Sequence, residues 1–338
     1  MSQHVLVVDD SAVVRQAFTM LVGKEFTVDT AADPIIAAQK MRKRRPAVVV
    51  LDLQMPRMDG FTFLRQIMRS DPLPVVICSA QGSETAMRAL EEGAVDVILK
   101  PALGVREFLA DSAVLLADTL RAAAEARVGR RLVTPPALSV VAPASVARQH
   151  AKVVAIGAST GGPEALRAII ESLPADAPGT IVVQHMPEGF TTAFAKRLNA
   201  SSRVEVKEAA HGDVVAPGRV LIAPGNRHVL LARCGSKLYA QVTGGPLVSR
   251  HRPSVDVLFR SVAQAAGPNA IGVILTGMGN DGADGLAEMR TAGAATIAQD
   301  ETTSVIFGMP REAIARGAAC DVLPLGAIAG AVLRLARG

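Results

Sequence analysis

The chain has 338 residues and a formal net charge of +5 at pH 7, and 49% of its residues are hydrophobic and 20% charged. This length suffices for two domains that each bury a core, and the apolar content excludes global disorder. No apolar run approaches the roughly 18–20 residues of a membrane-spanning helix, so no direct membrane insertion is expected.

Cysteines, basic residues and the N-terminal stretch exclude further classes of protein. The three cysteines are odd in number and far apart, which excludes a disulfide framework or a zinc site and fits a reducing compartment. The stretch "MSQHVLVVDD" lacks the basic and apolar regions of a secretory signal, so we expect a cytoplasmic protein. The densest basic clusters, 41–46 and 125–131, fall at a helix end and in a linker, so no nucleic-acid partner is expected.

Residues 1–124 alternate between short apolar runs and stretches with helical spacing. The runs, rich in Val and Ile, predict five strands: "HVLVVD", "FTVDTA", "AVVVLD", "LPVVICS" and "AVDVIL". The spacing predicts five helices, over 11–23, 34–44, 59–69, 83–92 and about 104–126. Because the strands alternate with helices, we predict a five-stranded parallel sheet wound on both faces.

A second alternating region follows a proline-rich stretch. Residues 125–150 include "VTPPALSVVAPASVARQH", which has no steady period and is typical of a linker. Over 151–338 the alternation resumes with "KVVAIGA", "GTIVVQH", "GRVLIAP", "AIGVILTG" and "GAATIAQD". Two alternating runs within 228–244 flank Cys234-Gly235-Ser236 and predict a β-hairpin inserted in the sheet. We therefore predict a second doubly wound α/β domain, mostly parallel and Rossmann-like, with a β-hairpin.

Polar side chains at predicted strand ends mark a candidate site in the first domain. Asp9 and Asp10 follow the first strand, and the third, fourth and fifth strands end near Asp52, Ser79 and Lys100. In a doubly wound sheet the carboxyl ends of the strands border the binding crevice. Clustered carboxylates attract a hard divalent cation, and with a hydroxyl and a lysine they predict a phosphoryl site. Asp10 could instead cap the next helix, but capping does not account for all five positions.

The motifs "VLVVDDS", "VVLDLQMPRMDG", "CSA" and "ILKP" resemble those of response-regulator receiver domains, across essentially all of 1–124. The resemblance implies that Asp52 accepts a phosphoryl group from a histidine kinase. It also implies that Asp9, Asp10 and Asp52 hold Mg²⁺. Ser79 and Lys100 would contact the phosphate. Val97 departs from the family pattern, because receivers usually carry there an aromatic residue that reorients on phosphorylation.

The stretch "KVVAIGASTGGPEAL" runs from a predicted strand through a glycine-rich turn into a predicted helix. Residues 157–161 match G-x-S-x-G, a nucleophile elbow in which glycines allow a sharp turn that exposes Ser159. The helix start offers N–H groups and a positive dipole end to a developing oxyanion. Such a turn also suits a phosphate, so nucleotide binding is an alternative, although Ser159 replaces the second glycine of G-x-G-x-x-G.

A nucleophilic serine needs a general base near it. His185 ends the predicted strand "GTIVVQH" on the same sheet edge as Ser159. The other histidines of this domain are less suitable, because His211 and His228 fall in predicted loops and His251 in the segment "SRHRPS".

An orienting acid should lie on that edge as well. Asp281 follows a strand and a glycine-rich turn and fits best, with Asp284 and Asp300 as alternatives. In this interpretation Ser159 attacks, His185 transfers the proton and Asp281 fixes the imidazole. The chain order Ser…His…Asp differs from that of α/β-hydrolases, so the motif does not imply that fold.

Several motifs of the second domain resemble the chemotaxis protein-glutamate methylesterases, the CheB family, over about 152–335. They are "IGASTGGPEAL", "QHMPEGFTTAFAKRL", "IAPGNRHVLL", "HRPSVDVLF", "ILTGMGNDGADGL" and "QDETTSVIFGMPREAI". The resemblance implies that Ser159, His185 and Asp281 form the triad. It also implies that Thr160 supports the histidine and that the Met278 amide contributes to the oxyanion hole.

The resemblance further implies hydrolysis of glutamate γ-methyl esters on methyl-accepting chemoreceptors, with release of methanol, during receptor adaptation in chemotaxis. Deamidation of certain receptor glutamines is expected too, and no metal is expected at the second site. A chemotaxis histidine kinase would supply the phosphoryl group, and the receiver would restrict access to Ser159 until Asp52 is phosphorylated. Arg250, His251 and Arg252 either recognise acidic receptor helices or have a structural role.

The sequence leaves two alternative classes of function. A phosphorylation-controlled module could have a non-hydrolytic output domain that binds a nucleotide or a protein. A DNA-binding regulator would need a basic recognition helix near the C-terminus, and "LGAIAGAVLRLARG" does not supply one.

Overall fold

The computed structural model describes residues 2–55, 59–79, 84–100, 106–129 and 152–337, with only the backbone described at 106–112. The chain separates into two compact units, Met1–Arg130 and Arg131–Gly338. The predicted linker, 125–150, lies largely outside the described residues. Among the described residues, none of the helices combines the length and hydropathy that a membrane span requires.

The first unit is a parallel five-stranded sheet surrounded by five helices. The strands are β1 His4–Val8, β2 Thr27–Ala31, β3 Val48–Asp52, β4 Val75–Ser79 and β5 Asp96–Leu99, in the order β2-β1-β3-β4-β5. The helices are α1 Ala12–Val22, α2 Pro34–Lys43, α3 Gly60–Ser70, α4 Glu84–Glu91 and α5 Arg106–Glu125. All five strands and five helices lie where their periods predict them.

Local sequence accounts for where these elements begin. β1 and β3 are buried along their whole length, as expected of central parallel strands covered on both faces. Ser11, Asp33 and Asp59 are the N-cap residues of α1, α2 and α3, and their side chains accept hydrogen bonds from the first turns. The N-cap of α1 is therefore Ser11 and not Asp10.

The second unit has a seven-stranded sheet in the order β14-β13-β12-β6-β7-β9-β8, and every adjacent pair is parallel. Its strands are β6 Val153–Ala158, β7 Thr180–Gln184, β8 Glu205–Glu208, β9 Arg219–Ile222, β12 Ala270–Ile274, β13 Ala295–Gln299 and β14 Asp321–Leu323. The sequence did not predict β8 and β14. Both are short edge strands, so neither carries a long apolar run.

The predicted hairpin is present, but it is not part of this sheet. β10 His228–Cys234 and β11 Lys237–Thr243 form a separate antiparallel two-stranded sheet, and β11 also bonds the segment 212–215 through an isolated bridge between Val214 and Tyr239. The hairpin packs on α8 Val255–Ala266, where the Leu231 N–H donates to Ser261 Oγ at 2.8 Å. The prediction of its position was wrong because alternation shows that two strands pair, not which face they cover.

The remaining helices are α6 Gly162–Glu171, α7 Phe190–Ser201, α9 Ala283–Thr291, α10 Met309–Ala315 and α11 Leu325–Arg337. The connection from β6 through α6 to β7 runs toward one edge of the sheet. The connection from β12 through α9 to β13 runs toward the opposite edge. Because such crossovers are right-handed, opposite directions place α6 and α9 on opposite faces of the sheet. The two directions diverge between β6 and β12, and at such a switch point a crevice opens at the carboxyl edge.

Close packing beside this crevice generates a testable prediction. A Cβ added to Gly157, in β6, would overlap the side chain of Val255, the first residue of α8. We therefore expect Gly157→Ala to destabilise the second unit by about 1–3 kcal/mol, the usual cost of overpacking a core. The Gly157→Ala/Val255→Ala double variant should recover part of that loss, measured by calorimetric melting of the full chain.

Gly244→Ala is the control, because the nearest atom to its added Cβ, Arg227 Nη1, lies at an ordinary 3.4 Å. If the two substitutions at 157 and 255 had additive effects on stability, the proposed contact between strand and helix would be wrong.

Candidate functional site

Ser159 lies in the turn between β6 and α6, at the switch point. Its N–H donates to the Thr276 carbonyl at 3.0 Å, and its carbonyl accepts from the Gly162 N–H at 2.7 Å. Gly161 has a φ of 76°, which a glycine adopts without strain, and this conformation leads the chain directly into α6. The serine is thus held by backbone on both sides, immediately before a helix N-terminus.

The loop after β12 approaches Ser159 so closely that position 277 has no space for a side chain. A Cβ added to Gly277 would lie 2.7 Å from Ser159 Cβ. The Gly277 carbonyl accepts from the N–H groups of Gly308 and Met309, which fixes this loop after β12. The glycine therefore allows the backbone of this loop to lie directly against the serine.

Asp281 and His185 form a buried hydrogen-bonded pair. Their Oδ2 and Nε2 atoms are 2.8 Å apart, and the two side chains are 1% and 7% exposed. Burial raises the pKa of Asp281, but hydrogen bonds from His185, Ser254 and Val255 outweigh it and leave the pKa below its ordinary value. The carboxylate is therefore ionised at neutral pH.

The start of α8 supplies the other donors to this carboxylate. Ser254 Oγ donates to Asp281 Oδ1 at 2.7 Å, the Val255 N–H to Oδ2 at 2.7 Å, and the Asp256 N–H to Oδ1 at 3.1 Å. With His185 this makes four donors on two oxygens. The carboxylate can neither rotate nor move without breaking several of these bonds.

The second imidazole nitrogen of His185 is left available. A carboxylate only accepts, so the neutral ring carries its hydrogen on Nε2 and presents Nδ1 as an acceptor. Nδ1 is buried and has no hydrogen-bond partner among the described residues. Ala158 and Gln184 are register partners on adjacent strands, and the His185 N–H donates to the Ala158 carbonyl at 3.0 Å. His185 and Ser159 therefore follow paired strand ends.

The two alternative acids, Asp284 and Asp300, bond other residues. Asp284 forms a surface ion pair with Arg316 at 2.8 Å, and Asp300 Oδ1 accepts from the Thr303 N–H and Oγ in a turn. Neither is the carboxylate that contacts His185.

The other histidines occupy different environments. His211 lies in an exposed turn, as predicted. His228, however, is not in a loop: it is the first residue of β10, is 3% exposed and accepts the Ser254 N–H at 3.2 Å. His251 stacks on His185, with 3.7 Å between ring centroids.

Thr160 and Met278 flank the serine from two elements. Thr160 is 3% exposed, and its carbonyl accepts from Thr276 Oγ1 at 3.1 Å. Met278 follows Gly277 in the loop that borders Ser159 and is half-buried. Both are placed near enough to the turn for the expected roles, which stay predictions.

The sequence did not identify several residues that hold this site. Gln184, fully buried, donates from Nε2 to the carbonyls of Ser159 and His185, at 2.8 and 3.0 Å. Ser254 is both the N-cap of α8 and a donor to Asp281. A serine before a helical period does signal an N-cap, but its second partner is 27 residues away in the chain and carries no local signal.

Arg252 is bonded within the protein. Its guanidinium donates to Asn226 Oδ1 at 2.6 Å and contacts the Gly245 carbonyl. These bonds favour the structural role for Arg252 over recognition of a substrate.

Three of the candidate side chains in the first unit form a buried cluster. Asp9 and Asp52 are 1% and 2% exposed, and Lys100 Nζ lies 3.1 Å from Asp9 Oδ2 and 2.7 Å from Asp52 Oδ2. Burial raises the pKa of Asp9, and the hydrogen bonds from the Ser11 N–H and Lys100 offset this only in part. Asp10 is exposed beside them, and the three carboxylates offer oxygens within 4.8 Å of one another.

Ser79 and Val97 lie on the neighbouring strands. Ser79 ends β4, and its carbonyl accepts from the Lys100 N–H at 2.8 Å. Val97 is 2% exposed in β5, opposite Ile77 of β4. The structure therefore brings the strand ends of Asp9, Asp52, Ser79 and Lys100 to one edge, as predicted, and fills the usual aromatic position with a buried aliphatic side chain.

Comparison with known proteins identifies a family for each unit. The CheB methylesterase family matches residues 154–332, and the response regulator receiver domain family matches residues 5–110. The chain belongs to the CheB methylesterase family. The predicted family, the α/β fold class and the enzyme class, a carboxylic ester hydrolase, are confirmed.

Relatives match the whole chain. Protein-glutamate methylesterase/protein-glutamine glutaminase 1 of Anaeromyxobacter dehalogenans is 57% identical over 100% of both chains. A protein of Geobacter metallireducens with the same name and the number 3 is 55% identical over 98% of each. The crystal structure of the Thermotoga maritima CheB methylesterase catalytic domain is 42% identical, covers 54% of this chain and 98% of its own, and has a TM-score of 0.53.

The hydrogen bond between Ser254 and Asp281 generates a second prediction. Ser254→Ala should lower the stability of the second unit at pH 7 by about 1.5–3 kcal/mol, the usual contribution of a hydrogen bond to a charged group. The folded-state pKa of Asp281 lies below its unfolded value, so its contribution is complete above about pH 4 and is lost as the pH falls through the folded pKa. The deficit of the variant should therefore shrink in acid.

Urea unfolding followed by circular dichroism from pH 3 to pH 8 measures this deficit. Ser261→Ala is the control, because Ser261 is buried in the same helix but bonds only backbone groups, the Leu231 N–H and the Leu258 carbonyl. A deficit for Ser254→Ala that stayed constant down to pH 3 would contradict the expected link to Asp281.

Proposed function

We propose that the second unit hydrolyses glutamate γ-methyl esters on proteins by acyl transfer to Ser159. The observation that carries the proposal is the His185–Asp281 pair: the His185 Nδ1 is buried without a partner among the described residues, and His185 follows the strand end paired with the one before Ser159. The names of the relatives, protein-glutamate methylesterase/protein-glutamine glutaminase, support this substrate class.

In the first step, Ser159 Oγ attacks the ester carbonyl while His185 Nδ1 accepts the hydroxyl proton. Asp281, ionised and held by four donors, stabilises the imidazolium that forms. The oxyanion would be met by the Met278 N–H and by the start of α6. His185 then returns the proton to the leaving oxygen, so that methanol departs and an acyl-serine remains.

In the second step, His185 takes a proton from water, and the resulting hydroxide attacks the carbonyl of the acyl-serine. The tetrahedral intermediate collapses as His185 returns the proton to Ser159 Oγ. The products are a free glutamate side chain and regenerated Ser159. A glutamine side chain would follow the same route with ammonia as the leaving group, and we propose this deamidation as a second activity. Thr160 would help to hold His185, and no metal takes part in this site.

The substrates we propose are the cytoplasmic helices of methyl-accepting chemoreceptors, which places the protein in the cytoplasm and in receptor adaptation. The second partner we propose is a chemotaxis histidine kinase, which would phosphorylate Asp52 in the first unit. The match to the receiver family supports this part of the proposal.

Mg²⁺ would be held in the first unit by Asp9, Asp10 and Asp52, and the residues fit it. They offer three carboxylates within reach of one ion, and among the described residues the two buried carboxylates share Lys100 as their ion-pair partner. A bound Mg²⁺ offsets the negative charge of the phosphoryl group during transfer. Lys100 and Ser79 would contact the phosphate on Asp52.

We propose three functional segments: a receiver over 1–124, a linker over 125–150 and a catalytic domain over 151–338. Phosphorylation of Asp52 would shift the receiver away from a state that restricts access to Ser159. Because Val97 replaces the usual aromatic residue, the signal would leave the receiver without the reorientation of that ring.

Methanol release from methylated chemoreceptor membranes tests the function. We expect Ser159→Ala to reduce release to that of an enzyme-free blank, since no nucleophile remains. A small phosphodonor with Mg²⁺ should accelerate the wild-type protein, and Asp52→Asn should lose this acceleration. Exposed Ser201 provides the control variant Ser201→Ala. Release by Ser159→Ala at the wild-type rate would rule out the acyl-serine route, and normal binding without any acyl-enzyme would favour a non-hydrolytic output.

Calorimetric melting of the first unit, within the full chain, tests the metal site. Without Mg²⁺, Asp9→Asn should raise the melting temperature, because burial disfavours the charged carboxylate and raises the pKa of Asp9. With Mg²⁺, the wild-type transition should move up, and that of Asp9→Asn should move much less. Asp33→Asn, at the N-cap of α2, is the control and should keep the full Mg²⁺ response. An equal response in Asp9→Asn would exclude this residue as a ligand.

A further inference from the structure

The imidazole of His251 lies flat against that of His185. The ring centroids are 3.7 Å apart, and the planes differ by 7°. His251 Nδ1 lies 2.7 Å from the Ser249 carbonyl, an acceptor, so this nitrogen carries a hydrogen. The ring that stacks on His185 is thus itself oriented by a hydrogen bond to its own loop.

A tight turn presents His251 at this place. Val248 and His251 exchange both backbone hydrogen bonds, at 2.9 and 3.1 Å, and the central residues Ser249 and Arg250 have φ values of 50° and 67°. This is the left-handed conformation that glycine or asparagine usually supplies, and it is strained for other residues. The fold tolerates this strain directly beside its candidate active site.

The turn is anchored on both sides. Before it, the Pro246 carbonyl accepts from His228 Nε2 at 2.9 Å. After it, Arg252 bonds Asn226, and Ser254 bonds Asp281. We call the segment 245–254 the strap, because it is fixed to the rest of the unit at several points. It places His251 against His185 and Ser254 against Asp281.

We propose that His251 is a positioning residue for the esterase reaction, holding the His185 ring so that Nε2 faces Asp281 while Nδ1 faces Ser159. This inference rests on the proposed function. His185 has one side-chain hydrogen bond among the described residues, and a single bond does not fix the plane of a ring. A flat partner at van der Waals distance does fix it.

A shared metal ion is a weaker interpretation of the same cluster. His185, His251 and Asp281 offer ligand atoms within 4.8 Å of one another. The nitrogen lone pairs, however, lie in the planes of the rings, and two nearly parallel planes do not meet at one ion. The stacking and the hydrogen bond to Asp281 both favour positioning over coordination.

Two substitutions separate the ring from its nitrogens. His251→Ala removes the flat partner and should lower kcat for receptor demethylation by at least about tenfold with little change in KM, since misplaced catalytic groups cost rate. His251→Phe keeps a flat ring and should recover most of that loss. Exposed His211→Ala is the control for loss of a histidine.

A spectroscopic readout makes the test independent of turnover. The His185 Nε2 proton bonded to Asp281 should give a low-field proton NMR resonance in the wild type and in His251→Phe. In His251→Ala that resonance should broaden or vanish, while the melting temperature shows that the unit is folded. If the wild type releases no methanol, the proposed function fails, and the resonance still tests the positioning.

Two outcomes would overturn the inference. His251→Ala with the wild-type kcat and an unchanged resonance would show that His185 needs no partner. A His251→Phe variant as slow as His251→Ala, with the resonance intact in both, would show that an imidazole nitrogen matters and not the flat ring.

Discussion

One buried carboxylate constrains much of the second unit. Asp281 is 1% exposed, and a charge at that depth requires donors on every side. Those donors come from the start of α8 and from the strand end of β7, so the loop after β12, the helix and the base are held in one arrangement. Gly157 belongs to the same constraint, because only a residue without a side chain allows α8 to approach β6 this closely.

The first unit also contains buried carboxylates, but their partners are different. There, within the part of the chain that the structure describes, the buried Asp9 and Asp52 share the cation of Lys100, and the pKa of Asp9 stays above its ordinary value. In the second unit four donors serve Asp281 alone, and its pKa lies below the ordinary value. The saturated carboxylate suits a fixed orienting role, whereas the Asp9 carboxylate is the less stabilised of the two in its charged form. Both clusters lie at the point where the direction of a doubly wound sheet reverses.

The strap over 245–254 connects the hairpin to this arrangement. It follows β11, passes through a strained turn and ends at the N-cap of α8. The hairpin, although outside the main sheet, therefore contributes to the site through His228 and Pro246, which hold the strap in place. A change in the packing of the hairpin on α8 would therefore alter the positions of both His185 and Asp281.

The sequence alone determined the two α/β domains, the strand ends that carry the polar residues, and the placement of Ser159 and His185 on the same sheet edge. These follow from local periodicity and from the rule that parallel strands meet at one edge, which depend only on neighbouring residues. The sequence favoured Asp281 over Asp284 and Asp300, but only the tertiary structure shows that Asp281 contacts the base, and only the tertiary structure decided where the hairpin packs. It also decided the contacts of Ser254 and His251, because each joins segments distant in the chain, and no short-range pattern encodes which of several polar groups will meet.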